Sequence, residues 1–288
     1  MSSDSALLTG AIDLHIHTAP DIFPRSVTAI EAAEQAQAAG MAAIAIKSHS
    51  TDTSARAEQA RISTGFPVYG GVALNYSVGG LNPYAVLECA RQGGRIVWLP
   101  TLSARHFLAH ASNVPILAEK SPVDSPGLVV TDESGALLPV VEDILELIKE
   151  HDMILCSGHV TPQEALVTFT RAAEMGITRL VVTHPHADFV GADAQDMRAL
   201  SALGAMNEMH YAFVTPVIDP PQTMAHIAGQ IRAAGVENCF LATDGGQKVN
   251  PVPVDALRLF IHGLMEEGFT KDEIHHMTVE APRTLLLN

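Results

Sequence analysis

Short apolar runs alternate along the chain with longer segments of helical periodicity. Eight mostly apolar runs of seven to nine residues recur, at residues 11–17, 41–49, 67–75, 95–101, 153–159, 178–184, 205–213 and 238–244. The intervening segments, such as 140–150, place hydrophobic side chains at helical spacing and so have one apolar face. Apolar strands that alternate with helices are typical of a parallel sheet covered by helices. Eight such units predict an α/β fold of the (β/α)₈ TIM-barrel type, with an open doubly wound sheet as the alternative.

One long connection interrupts this alternation. Residues 102–138 separate the fourth run from its helix, although such loops usually have only about 2–6 residues. A hairpin is predicted within this segment, with its turn at residues 132–135. Because loops after barrel strands lie at the active face, we expect a wall or lid there; a surface excursion or an oligomer contact is the alternative. The chain has no evident repeat or linker, so residues 1–288 are predicted to form a single, distorted barrel domain.

Net charge narrows the classes of partner. The chain has 32 acidic and 17 basic side chains, which give a formal net charge of −15. Nucleic acids and anionic membrane surfaces both require a basic protein surface, so neither is expected as a partner. A small-molecule partner is expected instead, and assembly into a homo-oligomer stays open.

The cysteines and the first residues indicate a cellular compartment. Cys89, Cys156 and Cys239 are odd in number and far apart, which predicts reduced core residues rather than disulfide partners. The first ten residues have neither the basic start nor the apolar run of a secretion signal. No apolar stretch reaches the roughly 18 residues of a membrane span. We therefore expect a cytoplasmic protein.

The first run contains two histidines with the spacing of metal ligands. Asp13, His15 and His17 occupy every second position, so strand alternation is expected to place them on one face. Two histidines spaced in this way can direct ring nitrogens at one metal ion. Asp13 is expected to orient these ligands rather than to bind the metal itself.

Three later runs end on residues of the same chemical kinds. His159 ends the fifth run, His184 the sixth and Asp244 the eighth. The carboxyl ends of barrel strands form the active face, so these side chains are expected to meet the first-strand histidines there. Imidazole and carboxylate ligands suit a divalent metal, for which we expect zinc first, with manganese, iron and nickel as alternatives.

This arrangement resembles the amidohydrolase superfamily. The Asp-x-His-x-His strand, the histidines at the fifth and sixth strands and the aspartate at the eighth follow its order, and the closing segment 279–286 is similar to its C-terminal stretch. The resemblance implies a metal-dependent hydrolase, less often a decarboxylase or lactonase, in a distorted barrel. The metal ligands that it implies are His15, His17, His159, His184 and Asp244. Asp244 is also implied as the general base, and His184 is a catalytic candidate for stabilising negative charge.

The chain departs from this pattern at its fourth strand. Superfamily members with two metals usually have a carboxylated lysine or a glutamate there, and residues 97–101 contain neither. One metal ion is therefore expected, and a second stays open. Three residues are candidates for a second metal site or for substrate binding: Lys47, His49 and Glu208. Lys47 is a substrate-carboxylate anchor, a modified bridging ligand or an ion-pair partner, and Glu208 is either a ligand or a partner in an ion pair.

Other cations and histidines have alternative interpretations. Arg25 either clamps a substrate carboxylate or pairs with Asp21. Arg105 and His106, in the long insertion, are further substrate-binding candidates. The remaining histidines are expected at the surface or at helix ends: His110, His151, His210, His226, His262, His275 and His276.

The leading functional hypothesis is hydrolysis of a small amide, cyclic amide, lactone or ester by metal-activated water, with Asp244 as general base. A metal-dependent decarboxylase or other lyase acting on a carboxylated substrate is the first alternative. The second is a phosphoesterase of the PHP type, which also begins with His-x-His, and His49 favours it. A barrel that binds metal without catalysis is the third.

Overall fold

The computed structural model describes residues 7–110, 112, 114 and 125–287. Its strands are Ile12–His17 (β1), Ala43–Lys47 (β2), Val68–Tyr69 (β3), Gly71–Ala73 (β4), Ile96–Trp98 (β5), Ile154–Cys156 (β6), Leu180–Thr183 (β7), Met206–His210 (β8) and Cys239–Ala242 (β9). Its helices are Ala29–Ala38 (α1), Ser54–Thr64 (α2), Pro83–Arg91 (α3), Arg105–His110 (α4), Pro139–Glu150 (α5), Pro162–Glu174 (α6), Ala194–Ser201 (α7), Met224–Ala234 (α8), Pro253–Glu266 (α9), Lys271–His275 (α10) and Ala281–Leu286 (α11). Every strand overlaps one of the eight predicted apolar runs.

The strands follow one another in chain order and are parallel. β1, β2 and β3 pair in one sheet, and β4 to β9 pair in a second. β3 and β4 belong to one predicted run and are separated only by Gly70, where an added Cβ would lie 2.6 Å from the Cα of Ser54. β1 lies beside the end of β9, because the amide of His17 donates to the carbonyl of Gly245 at 2.8 Å. The fold is therefore the predicted α/β barrel of the TIM type.

Apolar side chains pack on both the inner and the outer face of the ring of strands. Inside the barrel, the large side chains of Trp98 and Phe240 pack with Leu285 and Leu286 of α11. Outside it, the strands pack against helices such as α1, whose small alanines allow a close approach. The strands that carry the polar candidate residues are therefore packed on both faces by apolar side chains.

A bulge in β1 changes the expected alternation. Asp13 and Ile16 pair with residues only two apart on β2, so Leu14 and His15 together oppose Ala45. Leu14 accordingly packs inside the barrel, whereas Ile16 packs in the outer layer. The prediction that Asp13 shares the face of His15 was therefore wrong, because a bulge cannot be read from a period of two.

The segment 102–138 contains helix α4 and a short hairpin. Thr131 and Leu137 form an antiparallel bridge around a turn in which the amide of Gly135 donates to the carbonyl of Asp132. The hairpin turn lies where the sequence predicted it. Residues 111, 113 and 115–124 of the predicted insertion lie outside the described residues.

The three cysteines are free and buried, as expected for core residues. Among the helices that the structure describes, none is both long enough and apolar enough to cross a membrane.

Candidate metal centre

Asp244 connects the last strand to the histidines of the first. It follows β9, and its Oδ1 lies 3.0 Å from Nε2 of His17 and 3.5 Å from Nε2 of His15. Both histidines are buried, whereas 14% of the Asp244 side chain is exposed. Each residue offers a ligand atom within 4.8 Å of the ligand atoms of the other two. Two imidazoles and a carboxylate at such separations form a donor set for a divalent transition metal.

A second pair of histidines lies next to this group. His159 follows β6 and His184 follows β7, and their Nε2 atoms are 3.0 Å apart. The rings of His184 and His15 are 5.3 Å apart between centroids. The structure thus brings together all five residues that the resemblance implied as ligands. Their roles in metal binding stay predictions.

The backbone is strained at two of these five residues. His184 has a φ of 35° and Asp244 a φ of 46°, in the region that residues with a Cβ rarely adopt. Such conformations cost on the order of 1–3 kcal/mol and concentrate at functional sites. His184 comes directly after β7, and Asp244 comes two residues after the end of β9.

Burial keeps the site histidines neutral. Desolvation holds the pKa of His15, His17, His159 and His184 well below the usual 6.5, and the nearby Lys47 lowers each of these pKa values further. A neutral imidazole has one nitrogen lone pair available for a metal ion. The donor set therefore fits a bound divalent cation in its charge state as well as in its geometry.

Lys47 is a buried cation beside these histidines. Its Nζ lies 3.0 Å from Nε2 of His15 and 5.2 Å from the ring centroid of Trp98. Its side chain has no exposed surface, and this desolvation lowers its pKa to about 8. The roles of carboxylate anchor, modified ligand and ion-pair partner stay open for Lys47.

Glu208 lies between two histidines. Its Oε2 is 3.2 Å from Nδ1 of His15 and 3.5 Å from Nε2 of His210. The Glu208 side chain is 2% exposed. These contacts leave open both roles that the sequence suggested for Glu208, a ligand or a partner in an ion pair.

The position of His210 contradicts the expectation that it lies at the surface. His210 ends β8 without exposed surface, and its Nδ1 is 2.8 Å from Nδ1 of His184. With His15 and His184 it forms a second group of three whose ligand atoms lie within 4.8 Å of one another. A sequence signal existed, because Glu208 and His210 are two residues apart and share one face of a strand. The other six histidines expected outside the core are exposed or half-buried: His110, His151, His226, His262, His275 and His276.

Asp13 links β1 to the end of β9 through hydrogen bonds to the backbone. Its carboxylate accepts hydrogen bonds from the amides of His15 and Thr243, both at 3.1 Å, and its Oδ2 lies 2.5 Å from the Thr243 hydroxyl. Desolvation raises the pKa of this carboxyl group to about 7. Asp13 holds the backbone on which His15 is placed, and its expected role in orienting metal ligands stays a prediction.

Arg25 and His49 line the same cavity as four of the candidate ligands, His17, His159, His184 and Asp244. Arg25 pairs with Asp21, whose Oδ2 is 2.9 Å from Nη2 of the arginine. The ring of His49 stacks on that of His17 at 4.8 Å, and its Nδ1 lies 2.9 Å from the hydroxyl of Thr101. Thr101 ends the fourth predicted run, the strand on which the resemblance led us to look for a bridging lysine or glutamate.

Arg105 and His106 contact backbone carbonyls away from the five candidate ligands. Nε of Arg105 donates to the carbonyl of Pro126, and Nε2 of His106 lies 3.2 Å from the carbonyl of Val190. Among the described residues, neither belongs to the lining of the cavity. A substrate contact by either residue would require the segment to move.

Aromatic side chains, which the sequence analysis missed, form one wall of the cavity. Phe107 and Phe189 lie against His159, with ring centroids 4.7 and 5.0 Å away, and Phe213 lies 5.4 Å from His184. All three phenylalanines line the cavity. No periodicity in the sequence indicates this wall, because its members come from three separate connections.

Comparisons with solved structures agree with this fold. An amidohydrolase from Pseudomonas aeruginosa is similar with a TM-score of 0.67, 11% sequence identity and 98% of each chain covered. The probable dipeptidase PvdM from the same organism has a TM-score of 0.62 and 11% identity, with 98% of this chain and 96% of that chain covered. An organophosphorus hydrolase from Deinococcus radiodurans has a TM-score of 0.58 and 13% identity, with 98% and 93% covered. The barrel is thus the one found in amidohydrolase-superfamily proteins, as the resemblance implied.

Sequence comparisons are less informative about activity. A search of curated proteins finds no match. A family model described as "Family of unknown function (DUF6282)" matches residues 10–208, which include four of the five candidate ligands and Glu208. The chain belongs to this DUF6282 family.

Proposed function

We propose that the chain is a metal-dependent hydrolase that cleaves a small amide, cyclic amide, lactone or ester. The observation that carries this proposal is the convergence of His15, His17 and Asp244 within 4.8 Å at the strand ends, beside the cavity. The fold shared with hydrolases of the amidohydrolase superfamily supports it. We expect zinc at this site, with manganese, iron and nickel as alternatives.

The proposed roles follow from position and charge. A divalent ion held by His15 and His17 would lower the pKa of water and polarise the scissile bond. Asp244 is the partly exposed member of its group, so it can exchange a proton with the cavity as general base. The buried His159 and His184 would hold the cation from the opposite side, and that cation would stabilise developing negative charge.

The cavity wall indicates the kind of substrate group that fits. Phe107, Phe189 and Phe213 favour an apolar or planar group next to the scissile bond. Leu102 and Phe107 belong to the insertion 102–138, which we propose acts as this wall. Arg25 gives the cavity a cation, although Asp21 already neutralises part of its charge.

The experiment is turnover of a panel of lactones, esters and amides by zinc- or manganese-loaded protein. We expect Asp244→Asn to lower kcat/KM by a factor of about 10²–10⁴, which is the usual contribution of a general base. Asp272→Asn, an exposed acid on α10, is the matched control and should leave kcat/KM unchanged. Full activity of Asp244→Asn would exclude its role as base.

Decarboxylation of an apolar acid is the second candidate function. Arg25 would bind the substrate carboxylate, and the apolar wall favours its loss because apolar surroundings destabilise a carboxylate relative to water. Release of carbon dioxide from aromatic or unsaturated acids, without turnover of any ester, lactone or amide, would select this reaction over hydrolysis.

A further inference from the structure

We propose that Glu208 and His210 are positioning residues that fix the tautomers of two metal-facing histidines, His15 and His184. This inference rests on the proposed function, because it takes His15 and His184 to face a metal ion. It assigns a role to Glu208 and His210 of β8, for which the resemblance implies none.

Glu208 determines which nitrogen of His15 carries hydrogen. Its Oε2 lies 3.2 Å from Nδ1 of His15, and a carboxylate oxygen accepts hydrogen bonds. Nδ1 is therefore the donor. On the opposite edge of the ring, Nζ of Lys47 lies 3.0 Å from Nε2, which accepts this donor in the absence of metal. Both contacts require the same tautomer, which places the lone pair of His15 on Nε2, the atom 3.5 Å from Asp244.

His210 extends the same constraint to His184. Nε2 of His210 lies 3.5 Å from Oε2 of Glu208, outside hydrogen-bond geometry, but the carboxylate oxygen so close to this nitrogen still favours hydrogen on it. Nδ1 of His210 is then an acceptor, and it lies 2.8 Å from Nδ1 of His184. His184 consequently donates from Nδ1, and its lone pair is on Nε2.

The outcome at His184 agrees with the contact on its other edge. Its Nε2 lies 3.0 Å from Nε2 of His159. A lone pair directed at a second imidazole in a buried site favours a cation shared by the two rings. One carboxylate thus prepares both His15 and His184 for metal, the first directly and the second through His210.

A competing assignment makes His210 itself a ligand. His210, His15 and His184 have ligand atoms within 4.8 Å of one another, so their distances alone allow it. The two assignments differ in a measurable quantity. Loss of a positioning residue weakens metal binding but leaves the number of bound ions unchanged, whereas loss of a ligand from a site of its own removes an ion.

The test is a zinc titration against a competing chelator for the wild type, Glu208→Ala, His210→Ala and the double variant. We expect each single variant to bind zinc about 10–100-fold more weakly, with the same stoichiometry as the wild type. The effect of His210 depends on its orientation by Glu208. The zinc affinity of the double variant should therefore lie within about threefold of that of Glu208→Ala. The matched control is Asn207→Ala, which removes a buried side chain of the same strand that contacts Ser201, and zinc affinity should stay within about threefold of the wild type.

A second measurement does not depend on folding of the variants. Nitrogen-15 NMR of the wild-type histidines should show hydrogen on Nδ1 of both His15 and His184, with and without zinc. Hydrogen on Nε2 of either residue, unchanged zinc affinity of Glu208→Ala, or loss of one bound ion in His210→Ala would overturn the inference. Failure of the wild type to bind any divalent metal would instead overturn the proposed function.

Discussion

Nε2 of His17 and Oδ1 of Asp244 lie 3.0 Å apart across the junction of the first and last strands of the barrel. At the same junction the amide of His17 donates to the carbonyl of Gly245. The contacts that close the ring of strands therefore also bring the candidate ligands together. Disturbance of this junction should affect stability and metal binding at the same time.

Gly246 tests this coupling. Its φ is +108°, and an added Cβ would lie 1.9 Å from the carbonyl oxygen of His17. We expect Gly246→Ala to lower the free energy of unfolding by more than the about 1–2 kcal/mol of backbone strain alone, and to weaken zinc binding. Gly176→Ala is the control, because Gly176 also has a positive φ but nothing within 4 Å of an added Cβ. An equal loss of unfolding free energy in both variants, measured by urea unfolding, would contradict the coupling.

The hydrogen bonds of Asp13 give a second prediction. Asp13→Ala leaves the buried amides of His15 and Thr243 without their acceptor, which should cost about 1–3 kcal/mol in unfolding free energy for each unsatisfied group. Asp13→Asn keeps one acceptor oxygen, so its loss should be smaller. Urea unfolding measures both, and an equal loss in the two variants would show that the acceptor oxygen kept by asparagine does not stabilise the two amides.

Burial of the histidines predicts acid sensitivity of the metal-free protein. Desolvation holds the pKa of six of them well below 6.5: His15, His17, His49, His159, His184 and His186. Unfolded histidines take up protons near pH 6.5 while the folded ones stay neutral, so the unfolded state binds more protons below that pH. Asp13 acts in the opposite direction between about pH 4 and 7, but it is one group against six.

The free energy of unfolding should therefore fall as the pH falls below 6.5. The measurement is urea unfolding between pH 7 and 5 with chelator present. A constant or rising stability over this interval would contradict the assigned burial of the six rings.

The burial of Lys47 predicts a change in the free energy of unfolding at alkaline pH. Burial lowers its pKa to about 8, compared with 10.5 when unfolded. Between these values the unfolded state binds more protons, so this group raises the free energy of unfolding as the pH rises, by at most about 1.4 kcal/mol per pH unit. The stability of the wild type relative to Lys47→Met should increase from pH 8 to 10. A pH-independent difference would show that Lys47 stays protonated in the folded state over this range, so that burial does not lower its pKa.

The sequence predicted those parts of the site that depend on strand ends. His159, His184 and Asp244 could be placed because polar residues that terminate parallel strands meet at one edge of a barrel. Three features required the fold. The bulge at Leu14 and His15 depends on pairing with β2, the burial of His210 depends on its neighbours, and the aromatic wall combines three connections distant in sequence.

Metal content tests the central claim most directly. Purified protein loaded with zinc and then freed of excess ions should retain at least one equivalent by elemental analysis. His17→Ala/Asp244→Asn should retain less, by at least one equivalent, while His106→Ala should equal the wild type. Absence of bound metal in the wild type, or equal metal content in the double variant, would contradict a metal centre at the junction of the first and last strands.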